Sequence, residues 1–246
     1  AVAWYLADRI LPPRLTFVAV SLALVGLPAL LILQQPDLGT ALLIAASGLF
    51  VLFMAGIGWS YMFGAVCLAA VSAWPAWQFV LKDYQKQRIL TMLDPESDKL
   101  GAGWNIIQSK TAIGSGGWDG KGWLRGTQSQ LDFLPESHTD FIIAVLAEEH
   151  GLRGVLMLMG LYLLILLRGF WIGLRAQTSF GRMMAGSLTL TFFVYIFVNM
   201  GMVAGLLPVV GVPLPLVSAG GTSVVTLMAG FGILMAVSTE KPMVAR

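Results

Sequence analysis

The sequence predicts an all-α fold of the membrane kind, a polytopic helix bundle with one large extracytoplasmic loop. Three observations predict it. The chain is 57% hydrophobic but only 11% charged, against roughly 25% charged residues in an ordinary soluble domain. Residues 15–35, 38–81 and 183–239 carry no charge, and each stretch exceeds or matches the ~20 residues that one crossing needs. The remaining charge is concentrated: residues 82–153 hold eight of the fifteen Lys and Arg, ten of the thirteen Asp and Glu, and both His. Lipid accepts apolar side chains all round a helix, whereas a soluble core cannot enclose so much apolar surface.

The elements follow in order. Residues 1–6 read as the tail of an apolar helix already under way, so further chain is expected upstream; no signal-peptide pattern is visible. Breaking the apolar stretches at Gly, Pro and polar clusters gives six spans: 15–33, 38–54, 61–80, a fourth ending near Leu167, then 183–206 and 223–237. In the fourth, only residues 154–167 separate Arg153 from Arg168. It must therefore extend back through Glu148 and Glu149 or forward through Trp171. Arg9 and Arg14, then Arg168, Arg175 and Arg182, then Lys241 and Arg246 all fall on one side of this arrangement. The short connections on the other side, 34–37 and 207–221, have no Lys or Arg. Basic residues mark the cytoplasmic side, which predicts an inner-membrane protein with residues 82–149 outside and the C-terminus inside. Residues 1–246 are expected as a single membrane domain.

Several function classes lose support. A net charge of +2 without a basic run argues against nucleic acid binding. The single cysteine, Cys67, permits no intrachain disulfide. The stretch Gly114-Ser115-Gly116-Gly117-Trp118-Asp119-Gly120-Lys121-Gly122 fails as a phosphate loop: Ser115 and Gly122 break the pattern, and no strand leads in. A tight turn is one reading; a turn whose amides, with Lys121 and Arg125, hold a diphosphate is the other. His138 and His150 lack further ligands at metal spacing, and Ser109, Ser115 and Ser129 lack the nucleophile-elbow frame.

Polar groups precede the apolar run 141–146 in Phe133-Leu134-Pro135-Glu136-Ser137-His138-Thr139-Asp140-Phe141. Ser137, Thr139 or Asp140 can cap a helix there. Alternatively, a carboxylate held at the membrane surface serves as a general base. Burial would raise its pKa and a helix N-terminus would lower it, and the sequence leaves that balance open. Asp37, in Gln34-Gln35-Pro36-Asp37-Leu38-Gly39-Thr40, lies between two spans and is expected to cap the second. Gly201 and Gly205 have the spacing that lets membrane helices approach closely. Pro208, Pro213 and Pro215, followed by Ser218-Ala219-Gly220-Gly221, predict non-helical backbone beside the membrane, which must line a protein-walled cavity.

Together these segments resemble the SEDS (shape, elongation, division, sporulation) family of peptidoglycan glycosyltransferases. Gln35-Pro36-Asp37-Leu38-Gly39-Thr40 is similar to its Gln-Pro-Asp-x-Gly-Thr junction. Pro135-Glu136-Ser137-His138-Thr139-Asp140-Phe141 is similar to its Pro-Glu-x-His-Thr-Asp-Phe motif, and Pro213-Leu214-Pro215-Leu216-Val217-Ser218 to its C-terminal signature. The Gly-rich stretch with Gly126-Thr127-Gln128-Ser129-Gln130 looks like the rod-elongation branch rather than the division branch. The resemblance implies a ten-helix bundle, of which this chain covers six complete spans and the end of one more. It implies polymerisation of lipid II, with Asp140 matching the essential acid of the large loop; the mechanism expected on that basis is an inverting transfer with Asp140 as the base. Positive charge for the leaving diphosphate would come from Lys110, Lys121 and Arg125, with Lys86 and Arg88 behind them, or from a divalent cation, Mg or Mn. Glu136 and His138 are candidate substrate-binding residues, with Glu136 either orienting the base or facing water. Implied partners are a class B penicillin-binding transpeptidase, the elongation proteins MreC and MreD, and membrane lipid. A flippase of lipid-linked precursor and a scaffold for the transpeptidase remain as alternatives; a flippase predicts important charges at mid-membrane depth, where only Asp37 qualifies.

Overall fold

The computed structural model describes residues 1–35, 37–98, 101–130, 133–134 and 136–240. Pro36, Leu131, Pro135, Lys241 and Arg246, which carry parts of the motifs and charge pattern above, lie outside the described residues. The fold is all-α, and the described residues contain no strand. In chain order the helices are α1 (Val2–Ala7), α2 (Leu15–Gln34), α3 (Leu38–Met54), α4 (Trp59–Pro75), α5 (Asp83–Leu93), α6 (Ala102–Gly116), α7 (Thr127–Gln130), α8 (Ile142–Arg175), α9 (Ser179–Val203) and α10 (Gly221–Thr239). Four of them, α2, α8, α9 and α10, are long and apolar enough to cross a membrane, and α3 is a shorter apolar helix.

The chain forms two compact units. The first comprises residues 1–63, 163–194 and 221 onward. Here α2 and α3 pack along their length, and the reason is Gly48. A methyl group there would stand 2.1 Å from Val25 Cγ2, so only the bare Cα allows the two backbones to approach so closely. Val2, Leu6, Val25, Leu52 and Met183 form one core cluster, while Ile172, Ala185, Leu234 and Val237 form another. Ser187 Oγ donates to the Ser47 carbonyl at 2.9 Å, tying α9 to α3. Asp37 caps α3, its Oδ1 accepting from the Thr40 amide at 2.9 Å. That contact satisfies one of the first-turn amides that every helix leaves unpaired.

The second unit comprises Gly64–Tyr162 and Tyr195–Gly220. α4 has no buried residue, and its part in this unit exposes Val66, Leu68, Val71 and Trp74; it is not among the helices long and apolar enough to cross a membrane, so the expected span 61–80 has no such helix among the described residues. Pro75 ends the regular α4, since it has no amide hydrogen to continue the ladder; a π-turn follows over Ala76–Val80. The segment expected as a loop, residues 82–149, carries helices of its own, α5, α6 and α7.

The fourth expected span extends in both directions. α8 runs from Ile142 to Arg175, and its helix is interrupted at Gly151, with φ 63° and ψ −163°. A left-handed φ of this kind suits glycine. The break separates a first helical segment, residues 142–150, whose end bears Glu148 and Glu149, from the long apolar run. At ~1.5 Å per residue, the stretch from Gly151 to Arg175 is by itself long enough to span, and Leu156, Met157, Leu163, Leu164 and Leu167 on it face outward.

Substituting Gly48 by Val should lower stability by about 1–3 kcal/mol, the usual range for overpacking a tight contact. Thermal unfolding of the intact protein in detergent measures this, with Val25→Ala expected to restore part of the loss. An unchanged melting temperature for Gly48→Val would contradict the close α2–α3 approach.

Candidate functional site

Asp140 is half-buried immediately ahead of α8. It stands two residues before Ile142, the first residue of α8, and its main chain is held by side chains from other elements. Asn199 Nδ2, fully buried in α9, donates to the Asp140 carbonyl at 2.8 Å and to the Val212 carbonyl at 2.7 Å. Ser218 Oγ donates to the Thr139 carbonyl at 2.5 Å and accepts from the Leu214 amide at 2.7 Å. The Ala219 amide donates to the His138 carbonyl at 2.9 Å. Tyr162 Oη, from α8, donates to the Pro215 carbonyl at 2.6 Å. The Pro-rich segment and the 136–141 segment therefore form one hydrogen-bonded unit.

Within it, the Asp140 carboxylate faces Gly211: a methyl on that glycine would stand 3.5 Å from Oδ2. Burial, and then the nearby charge of Glu136, raise the Asp140 pKa above the ordinary carboxylate range. Burial removes solvating water from the ionised form, and a like charge repels it. Glu136 itself is exposed and accepts from Thr139 Oγ1 at 2.6 Å through Oε2. Glu136 and Leu216 both have positive φ, 57° and 63°. Left-handed non-glycine residues are costly and persist only where surrounding structure holds them. Here that structure is the same set of hydrogen bonds.

The sequence-predicted residues divide into three groups. Asp140, Glu136, His138, Pro213, Pro215 and Ser218 come together in the unit just described. His138 has an exposed side chain, and its contribution to the packing is its carbonyl. Pro215 is fully buried. Lys110, on α6, reaches the same non-helical segment at its start: a methyl at Gly205 would strike Lys110 Nζ at 2.7 Å. Ser109 Oγ beside it donates to the Val203 carbonyl at 2.8 Å, which fixes α6 against the end of α9.

Lys121 and Arg125 belong to a different arrangement. Lys121 Nζ pairs with Glu148 Oε1 at 2.7 Å, and the Glu148 side chain is fully buried. The same carboxylate accepts from the Thr127 amide at 2.8 Å and from the Gln128 amide at 3.1 Å. The amides of Lys121 and Gly122 donate to the Glu148 and Glu149 carbonyls of α8. These two amides are spent on the protein and do not face a diphosphate. The glycines of the Gly-rich stretch permit close backbone approach: a methyl at Gly116 would lie 2.0 Å from the Ala147 carbonyl oxygen, and one at Gly120 2.2 Å from that of Glu149. Arg125 is exposed. Asp37 lies in the first unit as a helix cap. Among the described residues no group of three His, Cys, Asp or Glu stands ready for a metal ion.

Asn199, Tyr162 and Glu148 carry much of this geometry and were not singled out from sequence. Asn199 had a signal, being the only side-chain amide in the uncharged stretch 183–239; polar residues at such depth tend to be functional or structural.

Lys121→Met should leave the Glu148 carboxylate buried without its cation and destabilise the protein by on the order of 3 kcal/mol. The double substitution Lys121→Met with Glu148→Gln should recover a large part of that loss. Chemical unfolding of the four proteins in a double-mutant cycle measures the coupling, and additive losses would exclude it.

Comparison with known proteins adds the family. A family profile described as "Cell cycle protein", covering FtsW, RodA and SpoVE, matches residues 1–243. The chain is 58% identical over 245 residues to the peptidoglycan glycosyltransferase MrdB of Escherichia coli K12, covering all of this chain and 66% of that protein. It is 40% identical over 230 residues to the probable peptidoglycan glycosyltransferase FtsW of Geobacter metallireducens, covering 93% of this chain and 58% of that one. Among solved structures, a chain from a peptidoglycan synthase complex that coordinates polymerisation and crosslinking matches with a TM-score of 0.77 and 32% identity, over 97% of this chain and 66% of that one. The rod shape determining protein RodA of Thermus thermophilus matches with a TM-score of 0.64 and 28% identity, over 97% and 61%. The chain thus spans about two-thirds of the length of the curated MrdB relatives it matches. With a profile match over almost its entire length, the chain belongs to the FtsW, RodA and SpoVE family of membrane cell cycle proteins.

Proposed function

We propose that the protein is a peptidoglycan glycosyltransferase of the rod-elongation branch, polymerising lipid II into glycan strands at the outer face of the inner membrane. The observation that carries this reading is the half-buried Asp140 carboxylate, with its main chain clamped by Asn199 and its neighbour Thr139 by Ser218. A base whose backbone cannot drift keeps its geometry towards a bound hydroxyl, which is where much of a positioning advantage arises. Asp140 takes the proton from the acceptor sugar hydroxyl as that oxygen attacks the anomeric carbon of the donor. The bond from that carbon to the diphosphate breaks, and the polyprenyl diphosphate leaves with the bonding electrons. The logic is that of the base in inverting glycosidases. The second carboxyl those enzymes use as an acid is dispensable, because diphosphate needs only positive charge to leave.

Lys110, beside the non-helical segment, and the exposed Arg125 are the cations in this reading; Lys121 would first have to leave Glu148. Glu136 and His138 flank the acceptor. Residues 82–149 are read as extracytoplasmic and the C-terminus as cytoplasmic, on the distribution of Lys and Arg. The similarity to a chain from a polymerising and crosslinking complex supports a transpeptidase as partner.

The test supplies lipid II to the intact protein in detergent, where a flippase has no two sides to act between. Glycan polymer is expected from the native protein, and at least about 100-fold less from Asp140→Asn, the lower range of what a positioned base contributes. Normal polymer from that variant removes Asp140 as the base.

The raised Asp140 pKa also predicts a pH dependence. The base works only when ionised, so polymerisation falls as pH drops through a pKa above the ordinary carboxylate value. Glu136→Gln removes the repelling charge, stabilises the Asp140 anion and should shift this acid limb to lower pH. An acid limb that stays in place, or moves to higher pH, contradicts the coupling.

A further inference from the structure

The first unit contains a polar concavity of about 240 Å³ where α8 and α10 end. Arg168, Trp171 and Arg175 of α8 line it, with Gln177 just beyond and Ser238 and Glu240 at the end of α10. We propose that it binds the phosphate of an anionic phospholipid headgroup, a site separate from the glycosyl transfer described above.

The arginines are seven positions apart, two helical turns, so both project from the same face with Trp171 between them. The Arg175 guanidinium lies over the Trp171 ring, 4.3 Å from its centroid, which fixes its direction. Among the described residues neither arginine has a carboxylate partner in an ion pair. The single acid in the cavity, Glu240, is engaged by Thr178 Oγ1 at 3.3 Å. Two arginines against one glutamate leave 2 − 1 = +1, which one phosphodiester neutralises. Guanidinium groups present paired donors matched to phosphate oxygens. Ser238 and Gln177 direct their donors to the Met235 and Arg175 carbonyls, so the recognition falls to the arginines.

The surroundings favour a lipid as the source of that phosphate. Trp171 is 50% exposed and Leu174 81% exposed, on a helix apolar enough to cross a membrane. Tryptophan concentrates at headgroup level, and basic pockets between membrane helices recognise anionic headgroups. Apolar surface beside the phosphate site accommodates acyl chains and offers nothing to free phosphate.

The experiment uses the intact protein in neutral detergent, titrated with dioleoylphosphatidylglycerol or dioleoylphosphatidylcholine, with bound lipid counted by native mass spectrometry. The anionic phosphatidylglycerol should bind preferentially. Replacing both arginines by glutamine should cut that preference by about fivefold per arginine, from the usual contribution of a basic residue near anionic lipid. The charge-retaining pair Arg168→Lys with Arg175→Lys should keep more of it than the glutamine pair, while losing the part that depends on paired guanidinium donors, which separates lost charge from misfolding. Equal binding of the two lipids by the native protein, or an undiminished preference in the glutamine variant, overturns the proposal. Displacement of phosphatidylglycerol by an equal concentration of inorganic phosphate would identify the ligand as free phosphate and overturn the lipid assignment.

Discussion

Non-helical backbone beside a lipid phase has no water to satisfy it, and residues 205–220 meet that constraint with side chains from neighbouring helices and one from the segment itself. Asn199 serves the carbonyls of Asp140 and Val212, Tyr162 serves that of Pro215, and Ser218 serves the Leu214 amide and the Thr139 carbonyl. A buried carbonyl left unpaired costs about 1–3 kcal/mol, so removal of any one of these groups is felt by the whole unit. The consequence for chemistry is direct. The bonds that keep the segment from unravelling also hold the stretch from His138 to Asp140, and the left-handed backbones of Glu136 and Leu216 are carried in the same assembly.

A second constraint acts on the Gly-rich stretch. Glu148 is a carboxylate with no exposed side-chain surface, and a charge so placed needs a cation and hydrogen bonds around it. Lys121 supplies the first, the Thr127 and Gln128 amides the second. The glycines at 116 and 120 let this loop approach the α8 backbone closely enough for those bonds to form. The interruption of α8 at Gly151 meets the same loop from the other side, with the Leu152 amide donating to the Gly117 carbonyl at 2.9 Å. Lys121 and Arg125 look interchangeable as phosphate-binding cations in sequence, yet one is committed to a buried partner and the other is exposed.

The apolar spans were legible because the demand of lipid is compositional and local. Residues 15–33 and 38–54 correspond closely to α2 and α3, and 223–237 lies inside α10. α5 and α6 were less legible. Residues of α6 include three glycines, at 103, 114 and 116, which disfavour helix by roughly 1 kcal/mol each relative to Ala. Close packing reverses that preference at two of them: a methyl at Gly103 would lie 2.2 Å from the Pro95 carbonyl oxygen, and Gly116 rests on Ala147.

By itself the sequence determined the class of fold, five of the six expected apolar helices, and the motif residues Asp140, Pro213, Pro215 and Ser218, since each is a property of composition or of a short window. Tertiary structure alone decided that Ser218 bonds to Thr139 across 79 positions, that Asn199 reaches Asp140 across 59, and that Lys121 belongs to Glu148 across 27. The physical reason is that a buried polar group takes whichever partner the packed helices bring within about 3 Å, and no local pattern records which one that is.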